Sequence, residues 1–194
     1  AGAGARAAEA EVDGAHAVRR STLGDNIHGD EELLPVRGGY ILFTFVLALL
    51  LNLIPMPGWL SSATPDFVAL MIVFWSVFQA HRVGLWPAWV LGLLMDVADG
   101  GLFGQHAMAY CAAAYAGIFL HRRIQMFPMS YQIAHVLAIL AGQQGLQLLI
   151  RLVASAPPPD MLYFVSSLTG AALWPALVGL LLLPLRQRTG PEEV

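Results

Sequence analysis

Few residues in this sequence are of a type that could do chemistry, and the first is Asp96, an acid inside the apolar run GLLMDVADGGLFG at 92–104. An ionisable group in such a setting is expensive and normally has a partner or a water-filled reason to be there. Gly92, Asp96, Gly100 and Gly104 recur every fourth residue. Where a helix persists, that spacing predicts one narrow stripe of small residues against which another backbone can pack closely. Asp99, three residues on, is expected at the outer mouth. Asp96 is read either as a proton, ion or ligand site or as a carboxyl hydrogen-bonded to a neighbouring helix to fix packing.

His135, Gln143, Gln147 and Arg151 form a second polar set, at spacings of eight, four and four. They make one stripe on a helix otherwise built of Leu, Ile and Ala. That face avoids lipid. It either lines the interior or meets another protein's helix, where such amides act as glue worth about 0.6 to 2 kcal/mol each. His81 with Arg82, and His121 with Arg122 and Arg123, are basic turns that read as topology determinants or as contacts for anionic headgroups or a cytoplasmic partner. Ser166, Ser167 and Thr169 read as helix-packing polar groups. Trp59, Trp75, Trp86, Trp89 and Trp174 are expected mostly near span ends, where indoles prefer the interface.

Other chemistries find little support. His106 and His135 stand on different segments without HExxH or comparable ligand spacing, so no metal site is expected. Cys111 is the sole cysteine, which excludes an internal disulfide and any multi-cysteine cluster. There is no GxSxG turn and no glycine-rich phosphate loop, so neither an enzyme nor a cofactor is expected. All ten basic residues are Arg, which removes lysine chemistry. A net charge of -3, scattered along the chain, does not make a nucleic-acid groove.

The elements that must hold these residues follow from composition. The chain is 57% apolar and 12% charged, against roughly a quarter charged in a soluble domain. Hydrocarbon is therefore the expected solvent. Eleven of the 23 charges fall in residues 1–39, which lack a long apolar run and read as a disordered tail. Beyond it, apolar runs alternate with Gly, Pro or Arg punctuation. That pattern predicts an all-α integral membrane protein with six transmembrane helices in residues 40–186 and a short cytoplasmic tail at 187–194.

The expected spans are 40–56, 63–80, 86 to about 100, 105–120, 131–154 and 161–185. For the second, Thr64, Pro65 and Asp66 are read as the cap, a first-turn proline and an acid at the positive helix end. Basic residues near short loops stay on the cytoplasmic side. With both termini inside, Arg6, Arg19, Arg20, Arg37, Arg82, Arg122, Arg123, Arg186 and Arg188 all lie inside, and only Arg151 lies outside.

The block TPDFVALMIVFW at 64–75, HRVG at 81–84 and GLLMDVADGGLFG at 92–104 resembles the MreD family of the bacterial rod-shape system. Ser166 and Ser167 with the Leu173, Trp174, Pro175 triplet are similar to the family's last span. The likeness covers about residues 38–188 and carries Pro65, Asp66, His81, Arg82, Gly92, Asp96, Gly100 and Gly104 as motif positions. It implies a compact bundle similar to the S-components of ECF transporters. It also implies a non-enzymatic inner-membrane scaffold that binds MreC and supports MreB, RodA and a class B penicillin-binding transpeptidase in peptidoglycan synthesis and cell shape. An MreC membrane helix is then expected against the small-residue stripe. The alternative is an S-component-like subunit that binds a small molecule.

Overall fold

A computed structural model describes residues 37–57, 63–157, 159 and 162–186. Within them the chain is all-α, with six helices: α1 Gly38–Asn52, α2 Phe67–Phe78, α3 Leu85–Asp99, α4 Gln105–Met126, α5 Met129–Val153 and α6 Val165–Arg186. Residues 1–36, Trp59, the 187–194 tail with Arg188, and the side chain of Arg186 lie outside the described residues.

Several boundaries differ from expectation for local reasons. α1 stops at Asn52, ahead of Pro55 and Pro57, which cannot continue a helix. α2 begins only at Phe67 because Asp66, not Thr64, is the N-cap: its carboxylate accepts from Ala69 N–H at 3.0 Å. The basic group His121, Arg122 and Arg123 is not a turn. α4 runs through it to Met126, and the chain reverses at Phe127, whose extended backbone is the conformation favoured before Pro128. α6 starts at Val165, four residues later than expected.

α2 is apolar all round and sits at the centre, as such a helix must. Val68, Leu70, Ile72, Val73, Phe74 and Trp75 are all fully buried. It packs against α1 and α4 and touches α5 and α6; α4 in turn carries α3 on one side and α5 on another, and α5 packs on α6. Toward its C-terminal end α2 enters an aromatic cluster in which Phe74 meets Trp75, Phe78 and Trp174. Trp75 and Trp174 are thus core residues, contrary to the interfacial placement expected for them. Their indole N–H groups are spent inside, on Thr44 Oγ1 at 2.9 Å and Gln132 Oε1 at 3.2 Å. Trp86 and Trp89 are exposed and stack on each other.

Outward faces are apolar. α1 exposes Leu42, Phe43, Val46 and Leu50, and α3 exposes Trp86, Val90, Leu94 and Val97. Contiguous faces of this kind need a covering other than water. Among the described residues two helical stretches, Met129–Val153 and Val165–Leu183, are long and apolar enough to cross a membrane alone. The twelve residues of α2 rise only about 18 Å.

Candidate functional site

The polar side chains gather at one end of the bundle, where α1, α3 and α5 finish and α2, α4 and α6 begin. Two carboxylates organise it, each satisfying backbone N–H groups that a helix start leaves without partners.

Asp66 is the first. Besides Ala69 N–H, its Oδ1 accepts from Asn52 Nδ2 at 2.9 Å, and its Oδ2 accepts from the Tyr110 hydroxyl at 2.8 Å. Asn52 completes the start of α2 by accepting from Phe67 N–H at 2.9 Å. One acid therefore ties α1, α2 and α4 together.

Asp96 is the second, and it caps a helix other than its own. α4 begins after Gly104, which has no side chain to cap with and a left-handed φ of 93°. The fully buried carboxylate of Asp96 takes over, accepting from Gly104 N–H at 2.8 Å, His106 N–H at 2.8 Å and Ala107 N–H at 3.4 Å. It also accepts from His106 Nδ1 at 3.0 Å, which leaves Nε2 facing Asp99 at 3.3 Å. In the structure the contacts of Asp96 are those of a cap that joins α3 to the start of α4.

The small-residue stripe is corrected accordingly. α3 ends at Asp99, and Gly100, with φ 61°, and Gly104 serve the turn rather than a helix face. Gly92 does admit a close backbone, but that backbone is α4: a Cβ at Gly92 would stand 2.3 Å from Ala107 Cα. The groove expected to receive a partner helix is already filled from within.

The glutamine stripe faces inward. Gln147 Nε2 donates to Gln143 Oε1 at 3.0 Å and its Oε1 accepts from the Tyr163 hydroxyl. Burial in the α5–α6 connection pushes that phenol up to about 12, which keeps it a neutral donor. Arg151, half-buried, donates from Nε to Gln105 Oε1 at 3.2 Å. His135 does not join them; it bonds Tyr131 O at 2.7 Å and stacks on Phe127 near the opposite end. Pro65 lies beside Asp66, whereas His81 and Arg82 are exposed in the α2–α3 turn.

Sequence reasoning missed Asn52, Tyr110, Gln144 and Tyr163. Gln144 donates to Tyr163 O at 3.2 Å and to Ser166 Oγ, and accepts from Ser167 Oγ, so it pins α5 to the start of α6. The available signal was that Asn52 is the lone amide in its apolar run and that Gln144 adjoins a glutamine already singled out. Between these groups lies a cavity of about 260 Å³, lined among others by Asp66, Asp99, His106, Gln143, Gln147 and Tyr163. Among the described residues no cluster of three or more His, Cys, Asp or Glu is arranged to hold a metal ion.

The family model described as rod shape-determining protein MreD matches residues 37–186. Among curated proteins, the rod shape-determining protein MreD of Haemophilus influenzae is 29% identical over 75 residues, which is 39% of this chain and 46% of that relative. The match thus spans about half of the relative's length. No solved structure matches the chain.

Proposed function

Since the chain belongs to the MreD family of rod shape-determining proteins, we propose that it is a non-enzymatic scaffold of the bacterial inner membrane that binds MreC. Through MreC it supports MreB, RodA and a class B penicillin-binding transpeptidase in peptidoglycan synthesis. The family match over residues 37–186 carries this reading. Two structural features support its mechanism. Among the described residues the fully buried side-chain polar atoms other than Ser76 Oγ are hydrogen-bonded within the protein, and the outward faces of α1 and α3 are apolar and uncovered. Because lipid supplies no hydrophobic drive between helices, close packing on such a face is what gives an MreC helix its affinity.

In this reading the chain crosses the membrane six times with both ends cytoplasmic. Gln125 near the end of α4 donates to Val77 O near the end of α2 at 2.6 Å, so these two ends are neighbours. Arg122 and Arg123 flank one of them and Arg82 follows the other; Arg151 sits at the opposite end against Gln105. This clustering supports the reading, because basic residues near short loops are retained on the cytoplasmic side. The short α2 and α3 span within locally thinned bilayer or behind longer neighbours.

Depletion is expected to round rod-shaped cells, and the protein is expected to co-purify with MreC from detergent. Absence of association with MreC while both remain folded would overturn the scaffold. After Cys111→Ser, cysteines placed at 122 and at 157 are expected to label from opposite sides; labelling from the same side would overturn the topology. A second reading, a small-molecule-binding transport subunit, draws on the polar cavity, since a dry leucine-filled interior would have excluded it. A metabolite that co-purifies with the protein would favour it.

A further inference from the structure

The polar cavity does not end in protein. It shares Met56, Thr64 and Pro65 with an apolar hollow that continues over Ala172 and Leu173. That hollow meets, at Leu173, a second one between α1 and α6, floored by Phe67 and Met71 and walled by Ala48, Leu51, Leu177 and Leu181. A hydrogen-bonding chamber therefore opens into a crevice that is apolar along its length. From Thr169 to Leu181 the path follows α6 for about 18 Å at 1.5 Å per residue. Half of a roughly 30 Å hydrocarbon core is the depth of one leaflet, so the crevice suits an acyl chain.

Charge selects the headgroup. Among the described residues that line the chamber, Asp66 and Asp99 are acids and none is an arginine. Asp66 is engaged by Asn52, Ala69 and Tyr110. Asp99 is 49% exposed and among the described residues pairs with His106 alone. An anionic headgroup would meet two carboxylates on the chamber wall, while the nearby cation, Arg151, stands behind the lining and is held by Gln105. A quaternary ammonium has no N–H to donate to the carboxylate and carboxamide oxygens, whereas a primary ammonium has three.

We propose that chamber and crevice together form a binding site for one aminophospholipid of the ethanolamine type, with its ammonium at Asp99 beside the Gln143 and Gln147 carboxamides and one acyl chain between α1 and α6. The crevice borders the outward face of α1 at Leu47, but lipid retention is read with MreC absent, so failure of this proposal and failure of the scaffold reading are distinguishable.

The test is native mass spectrometry of the full chain released from nanodiscs of equal parts phosphatidylethanolamine, phosphatidylcholine and phosphatidylglycerol. One phosphatidylethanolamine is expected to be retained in preference to the other two. Asp99→Asn is expected to weaken that retention about tenfold, the worth of one charge-assisted hydrogen bond, and to leave phosphatidylglycerol unchanged. Ala172→Trp, at an exposed position, fills the crevice and is expected to lower retention with the chamber intact. Equal retention of the three lipids, or full retention by Asp99→Asn, would overturn the proposal. So would competition by glycerophosphoethanolamine as strong as by the whole lipid, which would make the chamber a soluble-amine site in which the crevice plays no part.

Discussion

At the end of the bundle where α1 gives way to α2, Asp66 and Asp96 hold six backbone or side-chain donors between them within 3.0 Å. Toward the other end, Phe74, Trp75, Phe78 and Trp174 meet ring against ring with centroids 4.8 to 6.2 Å apart. Hydrogen bonds are directional and an unmade one inside a protein is costly, so the first end admits few alternatives. The rings hold the second end chiefly by contact area, with the indole hydrogen bonds to Thr44 and Gln132 among its few directional ties. The bundle sets its geometry at the polar end and fills space at the aromatic one.

Substitutions at the two ends should therefore differ in severity, and the steepest test is Gly92→Leu. With a Cβ 2.3 Å from Ala107 Cα, α3 and α4 must separate, at or above the top of the about 1–3 kcal/mol typical of overpacking. Size-exclusion chromatography in detergent is expected to show no monodisperse protein. Asp96→Leu strands three N–H groups at the start of α4 and should cost about 3 kcal/mol in reversible unfolding, beyond the about 1 kcal/mol of an ordinary lost cap. On the proposed scaffold reading it should also reduce MreC capture; a stability loss below that of an aromatic substitution would break the contrast between the ends.

Trp75→Phe keeps a ring but removes the bond to Thr44 and part of the volume, for an expected loss of about 2 kcal/mol. Tyr110→Phe removes one donor from Asp66 and should cost about 1 kcal/mol. Asp99→Ala, at a half-exposed acid, should stay within about 0.5 kcal/mol and capture MreC like the parent. If Asp99→Ala proved as damaging as Asp96→Leu, the distinction between a helix-capping acid and a cavity-facing one would fail.

Much of the helical order was legible because proline, glycine and arginine interrupt apolar runs in ways that only short connections explain. Pro55 and Pro57 mark the end of α1, and Gly100 and Gly101 the end of α3. Asp66 was legible as an acid at a helix start, while its identity as the cap was not: Thr64 is also a good capping residue, and the choice depends on Asn52 fourteen positions away. The four-residue spacing through Gly92, Asp96, Gly100 and Gly104 was read as one face, and it is two things. Half of it is a packing face, and the other half is the left-handed turn that brings α4 back so that Asp96 can cap it. Spacing alone does not separate these, because both ask for small residues. That Gln143 and Gln147 avoid lipid followed from their stripe, while the choice between the interior and a partner's helix did not, and His135 on the same stripe shows that a helical face can change surroundings along its length.

The enclosed position of α2 bears on how the molecule is made. Among the described helices this segment comes second, is brief at twelve residues, and packs on α1 before it and on α4, α5 and α6 after it. Trp174, which closes against Phe74, belongs to the last of the described helices. Until α6 follows, α2, the most apolar of the described helices, lacks the ring that closes over Phe74, so its burial is completed only when the chain through Trp174 has been made.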